Sequence, residues 1–273
     1  MSVQETVLVG TDGSEPALTA VRWAALEAQR RGTTLTVLHA YDEDWSAMPG
    51  LPWPHPPGDP RDHAEAVVAT AREAATGAAP AITVHTVVVP GDPAATLVGH
   101  ATTAGLTVVG HRGRGGFTSL MLGSVGQRVA TRARCSAVVV RGRTVAFTDP
   151  VAVGADGSPA ARVAMAAAFG VAHVRGAALL AVHAYREPLP SGLTGREIAA
   201  ADMLDRLLDP LRKEFPDVPV GTLVHAGPAA RLLVGVSHQA QLIVAGAHEA
   251  GGLPGPITWQ LLHHADCPVL VAR

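Results

Sequence analysis

Short apolar runs alternate with amphipathic stretches along the chain. Residues 6–10 form a nearly continuous apolar run, which is typical of a buried strand. After it, small apolar residues recur at helical spacing between Ala17 and Ala28, with Ser14 placed to cap a helix and Gly32 to end it. Because all-apolar strands alternate with helices, we expect a parallel sheet covered on both faces. The same pattern predicts strands at 35–40, 82–89, 106–110 and 137–141, and helices at 62–75, at 125–133 and from Asp92-Pro93 to Gly105.

The second half of the chain repeats the first. Val-Gly-Thr-Asp-Gly-Ser at 9–14 returns as Val-Gly-Ala-Asp-Gly-Ser at 153–158, and His-Ala-Tyr at 39–41 returns at 183–185. Later matches keep their order while the offset shrinks, since Val109-Gly110 matches Ala245-Gly246 and Cys135 matches Cys267. Ordered matches of this kind indicate a duplication. We therefore predict two homologous domains, 1–143 and 149–273, that meet near residues 144–150.

Candidate chemistry lies where strands end. In open parallel sheets, ligands bind beyond the carboxyl ends of the strands, at the point where the strand order reverses. Asp12 and Gly110 each follow a predicted strand directly, and Asp156 and Gly246 do so in the second copy. Both pairs are therefore expected at a ligand-binding edge.

Composition narrows the class of protein. Of the 273 residues, 48% are hydrophobic and 16% are charged. This composition is too apolar for a disordered chain, and charged residues recur too regularly along the sequence for a membrane protein. A net charge of −2 provides no basic footprint for nucleic acid, and two cysteines exclude a disulfide scaffold. The first residues lack the pattern of a secretory signal, and the histidines show no metal-binding spacing. We expect a cytoplasmic protein without a metal site and without nucleic-acid or membrane partners.

A glycine-rich segment points to phosphate. Residues 110–117 contain four glycines together with Arg112 and Arg114, and Gly123-Ser124 precedes a predicted helix. Glycines allow the backbone to approach a ligand closely, and a helix N-terminus favours an anion. The segment is neither a Walker motif nor the dinucleotide fingerprint, so a solvated connector is the alternative interpretation.

The spacing of this segment resembles the universal stress protein family. Gly110, two residues, Gly113, nine residues and Gly123-Ser124 make the nucleotide-binding pattern of that family, and the early Val-Gly-Thr-Asp-Gly-Ser is also similar. The resemblance covers nearly the whole chain as a tandem pair. It implies two Rossmann-like domains with open twisted sheets of strand order 3-2-1-4-5, related by a pseudo-two-fold axis. It also implies ATP as the cofactor, with any Mg²⁺ carried by the nucleotide.

The resemblance also implies individual roles in the first domain. Asp12 would lie near the ribose, the Ala40 backbone near the adenine, and Val109 along the base, with Gly10 in the same site. The usual valine at the Ala40 position is replaced by a smaller residue, which matters little if the backbone makes the contact. The residues expected around the phosphates are Gly110, Arg112, Gly113, Gly123, Ser124 and Val125.

The second copy departs from this pattern. Glu249 stands where the second glycine belongs, and Gly255-Pro256 aligns with Gly123-Ser124 after a loop four residues shorter. Proline supplies neither an amide donor nor a hydroxyl, and a carboxylate beside phosphates is repulsive. We interpret this copy as degenerate for ATP and mainly structural, although a nucleoside without phosphates still fits around Asp156.

The sequence favours a binding protein over an enzyme. No catalytic residue is predicted, and the Ser-Gly-Gly-x-Asp-Ser and His-x-Gly-His motifs of related nucleotide enzymes are missing from the sequence. The leading hypothesis is a nucleotide-dependent stress-response or signalling module; the alternatives are a slow ATPase and a nucleotide-independent scaffold. The family also implies pairing of the two domains through their last strands, with a homodimer and an unidentified protein partner as further associations. His39, His183 and both cysteines are expected to be structural.

Overall fold

The computed structural model describes residues 6–43, 59–113, 122–145, 148–185, 194–247 and 254–273, with the side chains of 194–196 excepted. The chain divides into two compact units, Met1–Val140 and Arg141–Arg273.

The first unit is a doubly wound α/β domain. Its described residues form five strands, all parallel, in the order β3-β2-β1-β4-β5. The order reverses between β1 and β4, so the ligand-binding edge predicted from the sequence lies where those two strands end. The elements are β1 (Thr6–Gly10), α1 (Glu15–Arg30), β2 (Leu35–Tyr41), α2 (Pro60–Ala78), β3 (Val84–Pro90), α3 (Pro93–His100), β4 (Ala104–Gly110), α4 (Ser124–Arg132) and β5 (Ser136–Val140).

Burial explains why these segments adopt this fold. The three central residues of β1, Val7 to Val9, are almost completely buried, as expected for a strand covered by helices on both faces. The Ser14 hydroxyl accepts a hydrogen bond from the Ala17 amide at 3.4 Å and caps α1. The small residues that the periodicity placed on one face of α1 are all buried, which lets this helix pack closely on the sheet: Ala17, Ala20, Val21, Ala24 and Ala28.

The second unit repeats the topology. Its strands are parallel in the order β8-β7-β6-β9-β10, which is the same pattern as in the first unit. The predicted open parallel-sheet fold is thus confirmed for both copies. The elements are β6 (Val151–Gly154), α5 (Pro159–Arg175), β7 (Leu179–Tyr185), α6 (Thr194–Glu214), β8 (Val220–Ala226), α7 (Ala229–Ser237), β9 (Leu242–Gly246), α8 (Pro256–His264) and β10 (Val269–Ala272).

The predicted end of helix α3 was wrong. Gly105 does not end helix α3, which closes at His100, where the Ala101 amide caps the helix by donating to the Leu97 carbonyl at 2.9 Å. Gly105 instead lies within β4, where the pairing with β1 passes from Ala104 directly to Leu106. Glycine suits this position because it is the extra residue of a β-bulge.

Arg141 was also predicted to end a strand, but β5 ends at Val140. The Arg141 side chain donates to the carbonyl of Leu262 in the second unit. Desolvation on burial lowers the pKa of this guanidinium. Arg141 therefore begins the second unit rather than closing the sheet of the first.

Candidate functional site

A cavity of about 330 Å³ lies at the switch point of the first unit. It opens where β1, β2 and β4 end, and the first turn of α4 forms one of its walls. Its volume is within the range of small-molecule sites. All ten residues predicted for the nucleotide site line it: Gly10, Asp12, Ala40, Val109, Gly110, Arg112, Gly113, Gly123, Ser124 and Val125.

Asp12 is held at the mouth of this cavity by its own turn. The chain leaves β1 through Gly13, whose φ of 76° is in the left-handed region. This turn lets the Ser14 amide donate to Asp12 Oδ1 at 3.0 Å. A Cβ atom built on Gly113 would lie 2.3 Å from Asp12 Oδ2, so the carboxylate lies directly against the start of the glycine-rich segment.

The first turn of α4 forms the opposite end of the cavity. Gly123 occupies the N-cap position, and within the described part of the chain no side chain caps this helix. The N–H groups at a helix start attract anions through the helix dipole and through their own unpaired donors. Ser124 adds an exposed hydroxyl, and the exposed Arg112 adds positive charge. Arg114 lies outside the described residues.

Backbone packing explains Gly110. A Cβ on Gly110 would lie 2.7 Å from the Pro16 carbonyl oxygen, because the end of β4 lies directly against the start of α1. Only glycine permits this approach. The contact brings the end of β4 to the same edge as Asp12.

Helix α3 forms a part of the cavity wall that was not predicted from the sequence. Leu97 on α3 lies beside Gly10, since a Cβ there would be 2.5 Å from a Leu97 methyl carbon. The helical spacing of the buried residues Ala94, Leu97 and Ala101 is the signal that would have placed this face of α3 toward the sheet. The other lining residues that were not predicted are Thr11, Ala17, Leu38, Pro93 and Gly126.

An ion pair joins the two helices beside the cavity. Arg128 on α4 lies 2.8 Å from Asp92, the N-cap of α3. The Asp92 carboxylate also accepts a hydrogen bond from the Ala95 amide at 2.7 Å. The hydrogen bond from the Ala95 amide has the largest effect and lowers the pKa of Asp92. The ion pair with Arg128 also lowers this pKa, whereas desolvation raises it. Asp92 thus stabilises the start of α3 when ionised.

The second unit contains a cavity of about 310 Å³ in the equivalent place. Helix α8 begins with Gly255 at the N-cap and Pro256 at the first position, as α4 does with Gly123 and Ser124, which matches the alignment predicted from the sequence. Glu249, on which the argument for degeneracy partly rested, lies outside the described residues. The lining residues are Gly154, Ala155, Asp156, Ser158, Ala160, Ala161, Val182, Ala184, Ala229, Leu233, Ala245, Gly246, Gly255, Pro256, Ile257 and Thr258.

Two histidines tie strand ends together. The Nδ1–H of His39 on β2 donates to the Thr11 carbonyl at 2.7 Å, and the Nδ1–H of His183 on β7 donates to the Ala155 carbonyl at 2.6 Å. The carbonyl in each case belongs to the residue just after the first strand of the unit. These contacts support the structural role expected for both residues.

The two cysteines are free thiols. Cys267 is fully buried, whereas Cys135 is half-buried with its sulfur 3.2 Å from the Thr107 hydroxyl. Burial raises the pKa of the Cys267 thiol to about 12, so this group stays protonated at physiological pH.

No helix in the described ranges is long and apolar enough to cross a membrane. Within those same residues, no cluster of three or more histidine, cysteine or acidic side chains has the arrangement of a metal site.

The fold and the cavities define a class of protein: a tandem pair of doubly wound α/β units, each with a ligand-sized cleft at its switch point. Residues 4–141 and 148–273 both match the universal stress protein family, and the chain belongs to that family.

Relatives of known name agree with this assignment. The chain is 36% identical to Universal stress protein Rv2005c of Mycobacterium tuberculosis (strain ATCC 25618 / H37Rv) across 99% of this chain and 97% of that protein. It is 34% identical to Universal stress protein Rv2623 of the same strain, across 98% of this chain and 96% of that protein. The crystal structure of a universal stress protein from Archaeoglobus fulgidus DSM 4304 aligns over 99% of this chain and 96% of that one, with a TM-score of 0.74. At 19% identity, this last similarity shows the fold alone.

Proposed function

We propose that the first unit binds ATP and that the protein is a nucleotide-dependent stress-response module without enzymatic activity of its own. In this proposal the second unit holds no triphosphate and is mainly structural. The observation that supports it is the convergence of ten predicted residues on one cavity, with an acceptor carboxylate at its mouth and a helix N-terminus at its end.

The mouth and floor of this cavity suit an adenine nucleoside. An apolar surface for a flat ring is formed by Leu38, Leu97 and Val109. Ala40 lines the same cavity. A carboxylate such as that of Asp12 accepts hydrogen bonds from neighbouring hydroxyls. In our proposal the two ribose hydroxyls donate to Asp12.

The far end suits phosphates. The amides of the first turn of α4 and the Ser124 hydroxyl are donors, and Arg112 provides a compensating positive charge. Mg²⁺ would enter with the nucleotide, because oxygen atoms of the phosphates themselves supply ligands for it. Bound nucleotide would cover Arg112 and Gly113 and thereby change the surface offered to a protein partner.

The first experiment measures binding and turnover on the full chain. The purified protein is denatured, released nucleotide is identified by chromatography, and ATP with Mg²⁺ is then titrated into nucleotide-free protein by calorimetry. We expect one ATP per first unit and phosphate release no faster than in buffer. Gly113→Glu should abolish binding, because the new side chain begins 2.3 Å from Asp12 Oδ2 and adds a second carboxylate.

Gly77→Glu is the matched control. Gly77 is exposed near the end of α2, and nothing lies within 4 Å of a Cβ atom built on it, so the same change of charge should leave ATP affinity intact. Equal loss in both variants would show that the effect of Gly113→Glu is not specific to this site, whereas no binding by the unmodified chain would favour the scaffold hypothesis. Phosphate release at ordinary enzymatic rates that Gly113→Glu abolishes would establish the ATPase instead.

A further inference from the structure

The second cavity keeps one half of the first. Asp156 Oδ1 accepts a hydrogen bond from the Ser158 amide at 3.0 Å, as Asp12 does from Ser14. Gly157 turns the chain with a φ of 79°. Asp156 is exposed at the mouth of the cavity, where its carboxylate is available to a ligand.

The apolar walls are also kept. Leu233 on α7 lies 3.0 Å from a Cβ atom built on Gly154, in the position that Leu97 has beside Gly10. Val182 and Ala184 on β7 line the cavity where Leu38 and Ala40 line the first. The second cavity therefore has the apolar floor and the carboxylate that we assign to base and ribose in the first.

The other half differs in a way that disfavours phosphate. Pro256 at the first position of α8 has no N–H and no hydroxyl to offer an anion. Thr258, two residues further, is buried and its hydroxyl donates to the Gly246 carbonyl at 3.2 Å. The equivalent position in α4 is Gly126, which has no hydroxyl and leaves the Gly110 carbonyl without this bond.

The charged side chains that line the two cavities also disfavour phosphate in the second one. Among the described residues that line the second cavity, Asp156 is the single charged side chain, whereas the first cavity is lined by Arg112 as well as Asp12. A phosphate in the second cavity would meet a carboxylate without a compensating cation from those residues. Like charges at such range disfavour each other.

We propose that the cavity of the second unit is a separate binding site for an adenine nucleoside without phosphates. This inference rests on the proposed function for its assignment of base and ribose. The ribose hydroxyls donate to the Asp156 carboxylate, and the ring lies on the apolar floor formed by Val182 and Leu233. The end of the cavity at Pro256, where α8 begins, holds no phosphate.

The test uses adenosine and ATP as probes on the full chain. Calorimetry on Gly113→Glu, in which the first site is blocked, should show one adenosine bound per chain, with ATP at least about tenfold weaker. The unmodified chain saturated with ATP should still bind one adenosine. Adding Asp156→Ala to Gly113→Glu should weaken adenosine binding by about tenfold or more, because it removes a charged acceptor.

Asp202→Ala is the matched control in the same unit. Asp202 is exposed on α6 and does not line the cavity, so this variant should bind adenosine normally. Absence of saturable adenosine binding in both Gly113→Glu and the ATP-saturated chain overturns the inference. Equal affinity for ATP and adenosine in Gly113→Glu, or indifference to Asp156→Ala, overturns it as well.

The two proposals fail separately. Failure of ATP to bind the unmodified chain contradicts the proposed function, while Asp156-dependent adenosine binding would still establish the second site. Normal ATP binding without any adenosine binding contradicts the inference alone.

Discussion

Ser124→Pro tests where the phosphates lie with little disturbance of the fold. Ser124 is the first residue of α4, a position at which helices accept proline because its N–H has no partner within the helix. Gly123 before it has φ −72° and ψ 156°, the extended conformation that a residue preceding proline adopts. Helix α8 already begins with Gly255-Pro256 in the same chain. The substitution should therefore keep the helix and remove one amide donor and one hydroxyl.

The size of the effect follows from those two donors. A hydrogen bond to a charged group contributes about 1.5–3 kcal/mol, which corresponds to about a tenfold to hundredfold change in affinity. Neighbouring donors on one phosphate are not additive. We expect Ser124→Pro to raise the Kd for ATP by at least about tenfold and at most about a thousandfold. Ser124→Ala removes the hydroxyl alone and should have the smaller effect.

Calorimetric titration with ATP and with adenosine, alongside far-ultraviolet circular dichroism, separates binding from folding. The affinity of the first site for ATP should fall while helix content stays constant, and adenosine binding should not change. If ATP affinity in the folded Ser124→Pro variant stays within about twofold of the unmodified chain, the phosphates do not lie at the start of α4. That result would refute the reasoning from the helix N-terminus.

Three further predictions concern stability and reactivity. Gly110→Ala should destabilise the first unit by about 1–3 kcal/mol in urea unfolding, because its Cβ would lie 2.7 Å from the Pro16 carbonyl oxygen. The Cys267 thiol, whose pKa burial raises to about 12, should react with a thiol reagent at neutral pH only as fast as the chain unfolds. Asp92→Ala should cost about 1 kcal/mol at neutral pH, since it removes the cap of α3. The Ala95 amide and then Arg128 lower the pKa of Asp92, so this stabilisation is present above the unfolded pKa and is lost as pH falls through the folded one.

Each of these has its own control. Gly77→Ala, with nothing within 4 Å of the new Cβ, should stabilise α2 slightly, so a similar loss there would show that Gly110 is not special. Cys135→Ser leaves Cys267 as the single thiol, and rapid labelling of that variant would contradict its burial. For Asp92, a difference between variant and unmodified chain that stays constant from neutral pH down to about pH 3 would argue against an ionised cap.

The strand ends could be predicted from the sequence because both copies carry the same signals. The apolar run before Asp12 and the glycines at 110 and 246 fix where parallel strands stop, and the duplication supplied each signal twice. Capping residues were equally informative: Ser14 and Asp92 begin helices as expected. These features depend on neighbouring residues, which is why a sequence reveals them.

Features set by tertiary contacts were not predictable. Gly105 was predicted to end a helix because glycine is common just after the last helical residue. Pairing with β1 instead places Gly105 at a bulge inside β4. The second copy was expected to be degenerate for ATP, but the sequence did not indicate that Leu233 would form a wall of its cavity of about 310 Å³. The hydrogen bond that the Thr258 hydroxyl donates to the Gly246 carbonyl joins two residues that are not linked by any local sequence pattern.

The histidine that joins two strand ends has a consequence for how each cleft meets its ligand. In both units an imidazole Nδ1–H holds the carbonyl of the residue before the aspartate, so the floor is preorganised before anything binds. Little conformational entropy therefore remains to be lost on that side of the cleft when a ligand binds.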